Sequence, residues 1–216
     1  IGAGSWGTTL AVLLGEKGFD VKLWARREEL ANEIESKREN MQYLPGIKIP
    51  SNVIADNSFK DVLEGSEIII AAVPSEFLRK TMKETKPYFN NQIVVSVIKG
   101  IEHSTCKRMS QVIEDELGSA KIAVLSGPNH AEEVSSKMPT ASVVASKDKK
   151  TGKIISEILA TPYFKLYQLS DVTGVEICGA LKNISAIATG VVDGFGFGDN
   201  ARASIITLGL MEMNNF

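Results

Sequence analysis

Three runs in this chain read as interior strands: Glu67–Val73 (EIIIAAV), Gln92–Ile98 (QIVVSVI) and Lys121–Leu125 (KIAVL). A strand with one face in water alternates apolar and polar residues. A strand covered on both faces does not, which is the mark of a parallel sheet lying between helices. Helical patterns separate these runs, at Phe77–Lys86 and Cys106–Leu117. The same rhythm starts earlier, with helices over Thr8–Lys17, Arg27–Lys37 and Phe59–Leu63 and strands at Val21–Trp24 and Asn52–Ala55. It continues with strands at Ala141–Ala145 and Phe164–Tyr167 around a helix at Lys150–Leu159. Strand, helix, strand at this spacing predicts parallel β-α-β units with right-handed crossovers. Asn40–Pro50, with its Tyr43-Leu44-Pro45-Gly46, reads as a loop.

The head of this pattern carries Gly2-Ala3-Gly4-Ser5-Trp6-Gly7, a G-x-G-x-x-G turn that opens a helix. Alone the motif is weak; before a helix in a β-α-β series it has the context that gives it meaning. Gly2 allows a tight turn, Gly4 lets backbone approach a pyrophosphate, and Gly7 permits close helix-to-strand packing. The helix N-terminus adds unpaired amides and a favourable dipole. The fold class expected is therefore α/β, a Rossmann-type parallel sheet with helices on both faces. A strand should precede the turn, yet only Ile1 is there to supply it. The expectation is that the sequence starts inside that strand.

An NAD site usually places an acid at the end of the second strand, to hold the ribose hydroxyls. Here the strand runs into Trp24-Ala25-Arg26-Arg27, with no acid before Glu28. Two guanidinium groups suit a 2′-phosphate, so Arg26 and Arg27 predict a preference for NADP(H) over NAD(H).

Ligands of open parallel sheets sit beyond the carboxyl ends of the strands. There this chain places Pro74-Ser75, Lys99-Gly100 and Ser126-Gly127-Pro128-Asn129-His130-Ala131. Lys99 suits a phosphate or a carbonyl oxygen, and the Gly-Pro-Asn turn can offer amides. His103 and His130, the two histidines, read as structural or surface residues.

After residue 168 the character changes. Val172–Val192 carries two charges, Glu176 and Lys182, while Ile177, Leu181, Ile184, Ala188 and Val191 keep helical spacing. A helix without a polar face is usually buried. A glycine-rich break, Asp193–Gly198, leads to a second apolar helix over Asn200–Met213, and the chain stops at Asn214-Asn215-Phe216 with no clear cap. Residues 1–168 thus read as the dinucleotide-binding domain and 169–216 as the start of an all-helical domain. Its apolar faces need a cover, from further chain or from a second copy in a homodimer. Lys182, among Gly174, Gly179 and Ala186, is expected to lose hydration. Desolvation lowers a lysine's pKa and fits it for proton transfer near neutral pH; Asn183 beside it can donate to an oxygen.

Composition limits the alternatives. A net charge of −2 with scattered lysines gives no electrostatic case for nucleic acid. No apolar run is expected to span a bilayer, and Cys106 and Cys178, far apart and without metal spacing, read as reduced thiols in a cytoplasmic protein. No metal site is expected.

The strings GAGSWGTTLA, AVPS, IKG, GPNHAEE, EICGALKNISAIATGVVDGFGFGDNARA and LGLMEM resemble the NAD(P)-dependent glycerol-3-phosphate dehydrogenases of bacterial type, along the whole chain. The resemblance implies interconversion of dihydroxyacetone phosphate and sn-glycerol 3-phosphate, which supplies phospholipid synthesis. It implies that Ser5 and Trp6 contact the cofactor pyrophosphate, that Arg26 and Arg27 hold the 2′-phosphate, and that Tyr43 and Ala131 line the cofactor. Lys99 would touch cofactor and substrate, Gly127 and Asn129 the substrate, and Lys182 would exchange the proton. Asn129 stands where the family more usually has serine. Family members continue into further helices with an acid and an arginine–asparagine pair near the substrate phosphate. This sequence stops before them, so the fragment alone is expected to be nearly inactive. Two other readings stay open: a different dehydrogenase of the same domain plan, and a dinucleotide-sensing module without turnover.

Overall fold

In the computed structural model, residues 1–118 and 120–215 are described; Phe216, noted above, lies outside them. The chain runs α1 (Ser5–Glu16), β1 (Val21–Trp24), α2 (Glu28–Lys37), β2 (Glu39–Asn40), β3 (Leu44–Lys48), β4 (Val53–Asp56), α3 (Phe59–Leu63) and β5 (Ile68–Ala71). It continues with α4 (Leu78–Thr85), β6 (Ile93–Ser96), α5 (Met109–Leu117), β7 (Lys121–Ser126), α6 (Ala131–Ser135), β8 (Thr140–Ala145), α7 (Lys149–Leu159), β9 (Phe164–Leu169), α8 (Val172–Gly194) and α9 (Asp199–Asn215).

Five strands form one sheet in the order β5-β6-β7-β8-β9, and β1 pairs with β4 in parallel beside it. Ile1 and Gly2 bridge the two. The Ile1 nitrogen donates to the Ile70 carbonyl at 2.6 Å, the Ala72 amide donates to the Ile1 carbonyl at 2.8 Å, and the Gly2 amide donates to the Trp24 carbonyl at 3.1 Å. A largely apolar cavity of about 360 Å³ opens beside Ile1, between Val21–Leu23 of β1 and Ile68–Ile70 of β5, with Leu10 and Leu14 across it.

The continuously apolar runs are two-faced, as expected of covered strands. On β6, Val94 packs with Met82, Met109 and Ile113, while its neighbour Val95 packs on the other face with Leu10, Leu13 and Phe164. Successive strand residues point to opposite faces, so each run serves two cores at once. Burying each such side chain contributes about 1.5–3 kcal/mol.

Four expectations need correction. The β7–β8 pair is antiparallel, not parallel. The connection over residues 127–139 carries only the five-residue α6 in place of a full crossover helix, and the chain returns antiparallel beside β7. Asn40–Pro50 is not all loop: β2 and β3 form an antiparallel hairpin. Pro45 and Gly46 argued against a strand, and the isolated hairpin tolerates them. Helix α5 starts at Met109 because Cys106 adopts φ 57°, a left-handed conformation outside the helix, and Arg108 with Gln111 forms the cap.

The fourth concerns α8. Its buried residues are Val172, Glu176 and Gly179, while Ile187 is 69% and Phe195 73% exposed. Among the described residues nothing covers its second half except α9, which has no buried residue of its own. At 23 residues α8 is also long and apolar enough, by length and composition, to cross a membrane, contrary to the reading that no run was. Its first turns nonetheless pack on β7 and β8 and carry a buried, ion-paired carboxylate.

The segment after β6 is tied down by Arg79 of α4. Its guanidinium reaches Glu102 at 2.7 Å, Asp115 at 3.0 Å and Glu116 at 2.5 Å. The hydrogen bond from Arg79 comes first among the causes that hold the Glu102 carboxyl down at about 2. A depressed carboxylate contributes stability that is complete above its unfolded pKa of about 4.3 and is lost as pH falls toward the folded value. Acid unfolding should therefore steepen between about pH 4 and pH 2. Arg79→Met should flatten that limb in pH-dependent denaturation curves; an unchanged limb would remove this cluster as its source.

Candidate functional site

The glycine turn meets the sheet under tight constraint. A Cβ on Gly7 would lie 1.9 Å from the Gly2 carbonyl oxygen, and one on Gly2, at φ +111°, would lie 2.6 Å from the Ala72 oxygen. Gly4 is different: among the described residues, nothing comes within 4 Å of its would-be Cβ. Two glycines serve packing, and the third leaves an open face above the start of α1. That helix has no side-chain cap and no acid in its first turn, so its amides and positive dipole end are left to an anion. Ser5 and Trp6 occupy this turn, both half-buried, and Trp6 meets Phe164 edge-on with centroids 6.2 Å apart.

Asn40, fully buried, moors the next loop to this turn. Its amide donates to the Ala3 carbonyl at 3.0 Å and to Thr8 Oγ1 at 2.8 Å, and its Oδ1 accepts from the Tyr43 amide at 3.2 Å. Tyr43 itself is exposed.

The chain has six arginines. Arg38, Arg79, Arg108 and Arg202 are ion-paired with carboxylates. Arg26 and Arg27 have neutral partners among the described residues: the Arg26 guanidinium lies 5.7 Å from the Phe77 ring centroid, and Arg27 donates to Gln42 Oε1. A guanidinium held by a ring face or an amide is positioned without being neutralised. Two such groups are free to attract a phosphate.

A second group gathers beyond β6 and β7. Helix α8 crosses at Gly179, whose would-be Cβ lies 2.5 Å from Ser126 Oγ and 3.9 Å from Lys99 Cγ. Without a side chain at 179, the helix backbone comes this close with the Ser126 hydroxyl in its present position. Lys99 and Lys182 are both half-buried. Burial, and secondly the positive charge of Lys182, push the Lys99 ammonium down to about 8. The sequence pointed to desolvation at Lys182; the structure adds it at Lys99. Two cations near one strand edge favour an anion between them.

The remaining residues are placed as follows. Gly127 packs against Ser142, and Asn129 donates to Ser142 Oγ. Ala131 is buried at the start of α6, its carbonyl accepting from Thr9 Oγ1 at 3.2 Å. Asn183 is exposed on α8. His103 and His130 are both exposed, His130 lying 2.9 Å from Glu132. The described residues contain no group of three metal-ligating side chains. Sequence reading missed Asn40, Gln42 and Phe77. Their types carry no signal by themselves, and their relevance comes from what lies across the fold.

Profiles of the family described as NAD-dependent glycerol-3-phosphate dehydrogenase match this chain, the N-terminal one over residues 1–152 and the C-terminal one over residues 171–216. A glycerol-3-phosphate dehydrogenase (NAD(P)+) of Chlorobium phaeobacteroides strain BS1 is 49% identical over 99% of this chain and 65% of its own length. One from Moorella thermoacetica is 46% identical over 99% of this chain and 64% of its own. The crystal structure of glycerol-3-phosphate dehydrogenase from Coxiella burnetii superposes with a TM-score of 0.92 at 39% identity, over 99% of this chain and 66% of that one. The chain thus spans about 65% of the length of the curated relatives it matches. With both family profiles matched and that fold shared, it belongs to the NAD-dependent glycerol-3-phosphate dehydrogenase family.

Proposed function

We propose that the complete protein interconverts dihydroxyacetone phosphate and sn-glycerol 3-phosphate, with NADP(H) preferred and NAD(H) accepted, in the cytoplasm and in supply of phospholipid synthesis. The observation that carries this reading is the pairing of Lys99 and Lys182 at the carboxyl edge of the sheet, in a fold that also holds an uncapped glycine-rich helix start and two uncompensated arginines. The names of the relatives support the substrate and the dual cofactor.

In this reading residues 1–168 bind the cofactor and the chain from 169 onward helps to enclose the substrate. Gly2, Gly4 and Gly7 shape the turn, and Ser5 and Trp6 flank the pyrophosphate. Arg26 and Arg27 hold the 2′-phosphate, with Tyr43 and Ala131 further along the cofactor. The bound nicotinamide supplies the hydride. Lys182 Nζ donates a proton to the oxygen of the reduced carbon, and accepts it in the reverse direction. Lys99 keeps positive charge beside that oxygen and the substrate phosphate; Gly127, Asn129 and Asn183 orient the substrate by hydrogen bonds. Exposed, unpaired Cys106 and Cys178 fit a reducing compartment.

Oxidation of NADPH by the complete protein with dihydroxyacetone phosphate, with NADH in parallel, tests the reading. Turnover favouring NADPH supports it. Cofactor binding without turnover overturns the substrate assignment in favour of a sensing module. Arg27→Ala should remove a charged hydrogen bond worth about 2 kcal/mol, raising the KM for NADPH roughly 30-fold while leaving that for NADH nearly unchanged. Equal effects on both would discard the 2′-phosphate argument. Lys99 is a cation below about pH 8 and loses its charge above it. The KM for dihydroxyacetone phosphate should therefore climb as pH passes 8, and Lys99→Arg, which stays charged, should abolish the climb; a climb that survives in this variant would belong to another group.

A further inference from the structure

Glu176 is the one acid in the apolar stretch 172–192 of α8. Its side chain is 2% exposed. It accepts a hydrogen bond from Arg108 Nη1, another from the Ser110 amide at 2.7 Å and a third from Ser110 Oγ at 2.6 Å. Arg108 is the cap residue of α5 and Ser110 lies in its first turn, so the carboxylate of one helix satisfies the start of another. A buried charge with three donors on it is expensive to disturb, because removing it leaves the partly buried Arg108 and the Ser110 donors uncompensated.

This pin has a consequence three and six residues further on. Glu176, Gly179 and Lys182 follow one another at three-residue spacing, on adjoining parts of one side of the helix. Glu176 fixes α8 on α5; Gly179 then brings the helix backbone against Ser126 and Lys99. Lys182 follows about 9 Å along the axis from the pin. The turn that carries Lys182 follows directly on these two contacts. Its rotation and register are set by the two turns before it.

We propose that Glu176 is a positioning residue: through the orientation of α8, its pairing with Arg108 sets Lys182 beside Lys99. The catalytic part of the inference rests on the reading of Lys182 as the proton-transfer group; the positional part does not.

The test uses the complete protein and the variant Glu176→Gln, with Lys182→Ala and the double variant beside it. The first readout is the pH dependence of acylation of Lys99, followed by peptide mass spectrometry in the absence of substrate. The parent should show a midpoint near 8, lowered in part by the charge of Lys182. Glu176→Gln should raise this midpoint, as should Lys182→Ala, and the double variant should match Lys182→Ala alone. The second readout is turnover. Glu176→Gln should lower kcat by up to about 100-fold, as expected of a misplacement near 1 Å, with the KM for NADPH unchanged. A lowered Tm with the Lys99 midpoint and kcat both intact would overturn the proposal and leave Glu176 a structural tie. A further rise of the midpoint in the double variant would also overturn it, since the effect would then bypass Lys182. Full turnover by Lys182→Ala would sink the proton-transfer reading, while the Lys99 midpoint would still decide the positional one. Should Glu176→Gln fail to fold, Arg108→Lys, which keeps the charge pair and changes its reach, is put through the same two readouts with the same outcomes decisive.

Discussion

The contact between Gly7 and the Gly2 carbonyl oxygen leaves no room for a side chain, and much of the molecule follows from it. It lays α1 flat against the point where Ile1 and Gly2 pair with β1 on one side and β5 on the other. From there α1 buries Leu10, Leu13 and Leu14 in the core that also takes Val95, Leu125, Ile155 and Phe164. The same closeness turns the uncapped end of α1 toward the open face of Gly4. Close packing and an open, uncapped helix start are thus two results of one backbone approach.

Charge in this chain is placed by what does not neutralise it. Four of its six arginines are tied to carboxylates and act as struts, most visibly Arg79 with its three acids. Arg26 and Arg27 are held by a ring and an amide and keep their full attraction for a phosphate. Lys99 and Lys182 form a second positive point at the edge of the sheet, where burial and mutual repulsion bring Lys99 to about 8. Coulomb attraction toward an anion grows as the surroundings become drier, so half-buried lysines repay the cost of bringing them together only when a ligand lies between them.

Helix α8 shows that an apolar pattern predicts a helix and a need for cover, and not which neighbour supplies the cover. Its apolar residues made a helix plain, and the helix is there. Burial is a property of neighbours, and among the described residues only α9 lies against the second half, so its apolar faces still call for a cover. Phe195 and Ile187 stay exposed in consequence. What anchors the helix is the residue that breaks its apolar character, Glu176.

By itself the sequence determined the strands of the main sheet and the β1–β4 pair, most of the helices and the glycine turn. These follow from periodicity and from conformational limits that act within a few residues of chain, such as the need for glycine where backbones touch. The tertiary structure alone decided the antiparallel return of β8, where the connection carries only the short α6 in place of a full crossover helix. It alone set Gln42 beside Arg27, Phe77 beside Arg26 and Arg108 beside Glu176. Those pairs lie 15, 51 and 68 residues apart along the chain. No local pattern records which distant side chain will satisfy a charge; that is settled only when strand order and helix crossing bring the two to the same place.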